Sequence, residues 1–79
     1  MTRSTQTQDR RRLAELLRKL REDSGLRQID VAERIGLQQS FVSKYETGER
    51  RLDLIELQEV STALGLTLSA VVKRFERPQ

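Results

Sequence analysis

Gln39, Ser40, Ser43 and Lys44 lie close together near the middle of the chain. At helical spacing the four fall on one face. None is a nucleophile with a base beside it. Their chemistry is short-range hydrogen bonding. A glutamine amide offers an acceptor and a donor side by side, which matches adenine N6 and N7. A lysine ammonium donates to guanine O6 and N7. Catalysis is not expected, because the chain has no histidine and no cysteine and its carboxylates are scattered among basic partners. No metal site and no cofactor are expected either. Without cysteine there is no disulfide framework.

Something must hold that polar face outward, and the segment Gln28–Thr47 carries the means. Val31, Ala32 and Ile35 form one short apolar stripe, and Val42 and Tyr45 form a second. Gly36 lies between them and tolerates a positive φ without steric cost, so it can end one helix and turn the chain sharply. Ala32 is small where the two helices must approach. Leu37 is expected as an apolar plug in the turn. Two helices then meet at a steep angle, and the second, running from about Gln39 to Glu46, keeps its polar side outside. That geometry is a helix-turn-helix.

Gln28, Ala32, Gly36, Val42, Tyr45-Glu46 and the following Gly48-Glu49-Arg50-Arg51 resemble the Cro and repressor-type helix-turn-helix family, also called the XRE family. The resemblance runs from about Leu13 to Val72. It implies an all-α, compact five-helix lambda-repressor-like domain that binds double-stranded DNA. It places base contacts at Gln39, Ser40 and Lys44, with Ser43 and Phe41 as second choices. Phe41 either touches a thymine methyl or covers the first helix pair. The resemblance also gives Gln28 a phosphate contact and a role in bracing Gln39. It joins Arg21 to Glu46 as a partly buried pair. Arg50 and Arg51 follow the recognition helix and are expected along the DNA backbone, with Arg27 flanking the same surface. Gln38 stands where the family usually has a Ser or Thr cap, so DNA phosphates are expected to complete that helix start. Arg27 is a similar departure before the second helix, with Asp30 compensating through the helix dipole.

The 79 residues make one domain with net charge +3, a balance compatible with nucleic acid but not diagnostic of it. Residues 1–8 read as a flexible arm, either frayed or following DNA with Arg3. Residues 9–76 form the domain, and 77–79 fray. Leu13, Leu16, Leu17 and Leu20 place an amphipathic helix over Arg10–Asp23, capped by Asp9 or Thr7. Arg10, Arg11 and Arg12 would sit unfavourably at its positive end. Gly25 and Leu26 close it. Asp53 caps a fourth helix with Leu54, Leu57, Val60 and Leu64 on its apolar face. Thr67 caps a fifth with Leu68, Val71, Val72 and Phe75.

Ile55 is apolar where the family is usually polar. With Val72 and Phe75 it suggests a homodimer interface, the other reading being that Val72 and Phe75 finish the monomer core. No apolar run is long enough for a membrane span and no signal-peptide pattern opens the chain, so a soluble cytoplasmic protein is expected. The function expected is a sequence-specific transcriptional regulator, a dimeric repressor on a pseudo-palindromic operator. An antitoxin, with a protein partner, or a restriction–modification controller is the variant on the same fold. A helical protein-interaction module is the rival of another class, and the polar face of Gln39, Ser40 and Lys44 argues against it.

Overall fold

The computed structural model describes the backbone of residues 3–77 and the side chains of residues 7–77. Five helices follow one another: α1 (Arg3–Asp23), α2 (Gln28–Ile35), α3 (Gln39–Thr47), α4 (Leu54–Ala63) and α5 (Leu68–Glu76). Among the described residues there is no strand. The all-α, five-helix expectation holds.

α1 begins at Arg3 rather than near Arg10, so residues 3–8, read as part of an arm, are helical. The leucine stripe supplies the nucleus, and Ser4–Gln8 holds no glycine or proline to stop cheap propagation backwards. Thr7 and Asp9 therefore lie inside the helix and cannot cap it. Arg10, Arg11 and Arg12 lie beyond the first turn, and the dipole penalty expected for them does not arise. The remaining terminal positions, Met1, Thr2, Pro78 and Gln79, lie outside the described residues.

Each helix contributes at least one fully shielded apolar side chain to the centre: Leu17, Val31 (with Ala32), Val42, Val60 and Val71. Each such burial is worth roughly 1.5–3 kcal/mol. Leu20, Ala32, Tyr45, Ala63 and Leu64 complete the core, and Leu13, Leu16, Leu26, Ile35, Leu57 and Leu66 pack around it. Ser61 is also buried and donates its hydroxyl to the Leu57 carbonyl at 2.7 Å, which removes the desolvation cost of a polar group at that depth.

Two apolar expectations fail. Leu54, the first residue of α4, is 64% exposed, and Leu57 is the first apolar side chain of that helix to pack on the core. Leu37 is 48% exposed and plugs nothing. The turn is closed by backbone bonds instead. Gly36 sits at φ +72°, its N–H donates to Glu33, and the Leu37 N–H donates to Ala32 at 3.0 Å.

Long arginine side chains tie distant ends together. Arg34 on α2 donates to the Ala63 carbonyl at the end of α4, at 2.8 Å. Arg12 on α1 donates to the Phe75 carbonyl at 2.6 Å and stacks on the Phe75 ring, 4.4 Å from its centroid. Each guanidinium satisfies a helix C-terminal carbonyl that has no partner within its own helix. The third helix start differs from the last two. Asp53 and Glu56 exchange side chain-to-backbone bonds at 2.7 and 3.0 Å, and Thr67 accepts from the Ala70 N–H at 3.0 Å. Gln38 makes no such bond for α3.

Candidate nucleic-acid interface

α3 is held by Val42 and Tyr45 in the core, and that anchoring decides which side faces out. Gln39, Ser40 and Lys44 are exposed, and Ser43 is half-buried at the edge of the same face. The sequence-predicted base-reading residues therefore share one accessible surface. Gln38 is exposed at the N-cap, and the backbone N–H groups of Gln39 and Ser40 have no acceptor among the described residues. The start of α3 thus presents donors and the positive end of its dipole to solvent.

Gln39 is positioned by a chain of hydrogen bonds that reaches into the molecule. Its amide nitrogen donates to Gln28 Oε1 at 3.3 Å. The Gln28 amide nitrogen donates to Glu46 Oε1 at 3.0 Å. Glu46 also accepts from Arg21 Nε at 2.7 Å and from Arg21 Nη2 at 3.1 Å, a two-pronged pair. The remaining Arg21 nitrogen donates to the Leu26 carbonyl at 2.9 Å. The Glu46 side chain is 2% exposed and that of Arg21 11%. The hydrogen bond to Glu46 raises the Arg21 pKa above its ordinary value, against the opposing effect of burial. The Arg21–Glu46 pair and the Gln28–Gln39 brace are both present as the resemblance implied.

Arg27 is exposed, and its guanidinium and its backbone N–H both bind Asp30, at 2.8–3.0 Å. Those bonds, from the side chain first and the backbone second, pull the Asp30 pKa down to about 2. Asp30 thus completes the α2 start by direct hydrogen bonding, where the sequence suggested only a dipole effect.

Arg50 is more engaged than expected. It pairs with Glu56 at 2.7 Å, donates to the Arg51 carbonyl at 2.6 Å, and covers the Phe41 ring at 4.8 Å. The Asp53 backbone N–H and then Arg50 lower the Glu56 pKa. Phe41 is half-buried between that guanidinium and Tyr45, whose ring it meets edge-on at 5.6 Å. Arg51 is exposed and makes no side-chain ion pair among the described residues. Burial, with Glu46 second, pushes the Tyr45 hydroxyl pKa up.

This arrangement can hydrogen-bond a row of edges lying in a groove while cations flank it. Among the described residues no cluster of histidine, cysteine, aspartate or glutamate could hold a metal ion. A helix-turn-helix family model matches residues 17–71. The chain belongs to the XRE-type helix-turn-helix family of DNA-binding transcriptional regulators. Control protein C.MunI of a Mycoplasma species is 36% identical over 67 residues, which span 84% of this chain and 90% of that protein. An XRE-family-like protein from Pseudomonas syringae superposes with a TM-score of 0.87 at 35% identity, over 94% of this chain and 90% of that one. The restriction–modification controller C.AhdI from Aeromonas hydrophila gives 0.75 at 32% identity, over 80% and 96%.

Away from the α3 face of this XRE-type domain, Ile55 is 64% exposed and Val72 37%. Phe75 is half-buried beneath Arg12 and so is partly used within the monomer. Sequence reasoning missed Asp30, Glu56, Arg12 and Arg34 as binding partners. The first two stand three residues after a helix cap, which is a readable signal. The contacts of Arg12 and Arg34 cross between helices and leave no local pattern.

Proposed function

We propose that the protein is a sequence-specific regulator that lays α3 in the major groove and acts as a dimeric repressor on a pseudo-palindromic operator. The observation that carries this is the exposed row Gln39, Ser40 and Lys44 on a helix whose leading glutamine is already fixed from below. Gln39, Ser40 and Lys44 read bases, with Ser43 at the edge. Phe41 acts mainly as the packing partner of Tyr45 and Arg50. Gln28, Gln38, Arg27 and Arg51 contact phosphates, and Arg50 contributes charge while bound to Glu56. In this reading the protein carries out no reaction of its own and works in the cytoplasm.

Leu54 and Ile55 at the start of α4, with Val72 on α5, supply the apolar surface for a twofold contact. Half-sites then lie about one helical turn apart. Ile55→Glu combined with Val72→Glu yields monomers in sedimentation. Wild-type protein that stays monomeric at high concentration removes the dimer.

Selection of bound duplexes from a random pool tests the main reading. The expected result is a short motif in two inverted copies. Gln39→Ala loses roughly 1–3 kcal/mol on that motif and little on random DNA. Equal loss on both would remove Gln39 as a base reader. A second reading is favoured by the similarity to C.MunI and C.AhdI: the regulated genes form a restriction–modification pair. It requires the selected motif to lie in the control region of such genes.

A further inference from the structure

Glu46 stands in the last turn of α3, on the buried side of that helix, and two hydrogen bonds link it through Gln28 to Gln39. Both of its oxygens face the Arg21 guanidinium, which can only donate, so Glu46 acts here as an acceptor. Whatever Gln28 turns toward it must therefore be the amide N–H, and that bond is 3.0 Å long. The Gln28 oxygen is then forced to the other side, toward Gln39. Gln39 must answer with its own amide nitrogen, and does so at 3.3 Å. An amide nitrogen has two hydrogens. One is spent on Gln28, which leaves Gln39 with one outward N–H and one outward oxygen.

We infer that Glu46 is a positioning residue for base specificity: through Gln28 it fixes the polarity of the Gln39 amide so that adenine is accepted and guanine refused. The inference rests on Gln39 facing a base, as proposed above. Adenine offers N6–H as donor and N7 as acceptor, which matches one oxygen and one N–H. Guanine offers two acceptors, O6 and N7, and requires two donors. With one N–H committed below, Gln39 cannot supply both.

Substituting Glu46→Gln inverts the relay. The new amide gives its oxygen to Arg21 and its N–H to Gln28. Gln28 turns over and offers its N–H to Gln39. Gln39 answers with its oxygen, and both of its N–H groups face the duplex. The substitution leaves the base-facing residues of α3 intact, reverses the sense of the hydrogen bonds and also removes the charge that pairs with Arg21.

The test first finds the base position whose preference disappears in Gln39→Ala. Binding to duplexes carrying adenine or guanine there is then compared for wild type, Glu46→Gln and Gln28→Leu. Gln28→Leu keeps the Arg21–Glu46 pair, so it remains informative should Glu46→Gln fail to fold. Wild type prefers adenine by about tenfold or more. In both variants the adenine-to-guanine ratio falls by about tenfold, with Glu46→Gln moving toward guanine, whatever happens to overall affinity. A merely structural role for Glu46 changes affinity and stability but leaves that ratio alone. A wild-type adenine preference that survives unchanged in the folded variants overturns the relay and leaves the DNA-reading function standing. No base position sensitive to Gln39→Ala overturns both.

Discussion

Replacing Glu46 with alanine is the severest single change the structure identifies outside the apolar core. The carboxylate is 2% exposed and accepts two bonds from Arg21 and one from Gln28. Its removal leaves the Arg21 guanidinium with only the Leu26 carbonyl. Breaking a buried pair by removing one partner costs about 3–5 kcal/mol. Arg21 is 11% exposed, so water reaches part of it and the lower end, about 3 kcal/mol, applies. A small single-core domain has stability on the order of 5 kcal/mol. The variant therefore retains a folded majority at 25 °C but melts about 12–24 °C lower. Helical circular dichroism during heating, with a urea titration at 25 °C, measures both quantities. The apolar double replacement Arg21→Met with Glu46→Leu then regains much of the loss, because no charge remains stranded. A Glu46→Ala protein with the native melting temperature would refute the buried pair. A double replacement as unstable as the single one would show that the loss comes from packing instead.

Three further outcomes are expected. Gly36→Ala loses about 1–2 kcal/mol, because φ is +72° and a Cβ there meets no other atom within 4 Å, so backbone strain is the whole cost; an unchanged urea midpoint would contradict that conformation. Arg51→Ala lowers the slope of log affinity against log salt by about one without moving the melting temperature, whereas Arg50→Ala does both, since Arg50 holds Glu56 and covers Phe41. Asp30 carries a depressed pKa, so its stabilising effect is present above the unfolded value of 3.8 and disappears as pH falls toward about 2; Asp30→Asn flattens the dependence of melting temperature on pH in that window, and an unflattened curve counts against the Arg27–Asp30 bonds.

Features with a short repeat were legible in the sequence. The leucines of α1, the two stripes around Gly36, and the caps at Asp53 and Thr67 all announce themselves within a few residues. The outward face of α3 followed from them, because once Val42 and Tyr45 are assigned to the core the directions of Gln39, Ser40 and Lys44 are fixed by the helical period. The Arg21–Glu46 pair spans 25 positions and the Gln28–Gln39 brace 11. They were reachable only through resemblance to a family. Arg12 and Arg34 had no such help. A long, flexible guanidinium reaches whichever helix end tertiary packing brings near it, and nothing in its neighbourhood along the chain records the choice.

The same asymmetry bears on the cations at the proposed DNA face. Sequence alone placed Arg27, Arg50 and Arg51 together as cations awaiting phosphate. In the fold two of the three are already bound to Asp30 and Glu56, and only Arg51 is without an ion pair among the described residues. A cation bound to a carboxylate must give up that bond, or share it, before it helps neutralise a phosphate. Its net gain on binding is therefore smaller than that of an unpaired one. The charge that steers this protein to DNA is thus less than a count of arginines suggests. On the base-reading role proposed for Gln39, more of the discrimination comes from the amides of Gln28 and Gln39, whose hydrogen bonds lead to Glu46 on the buried side of α3.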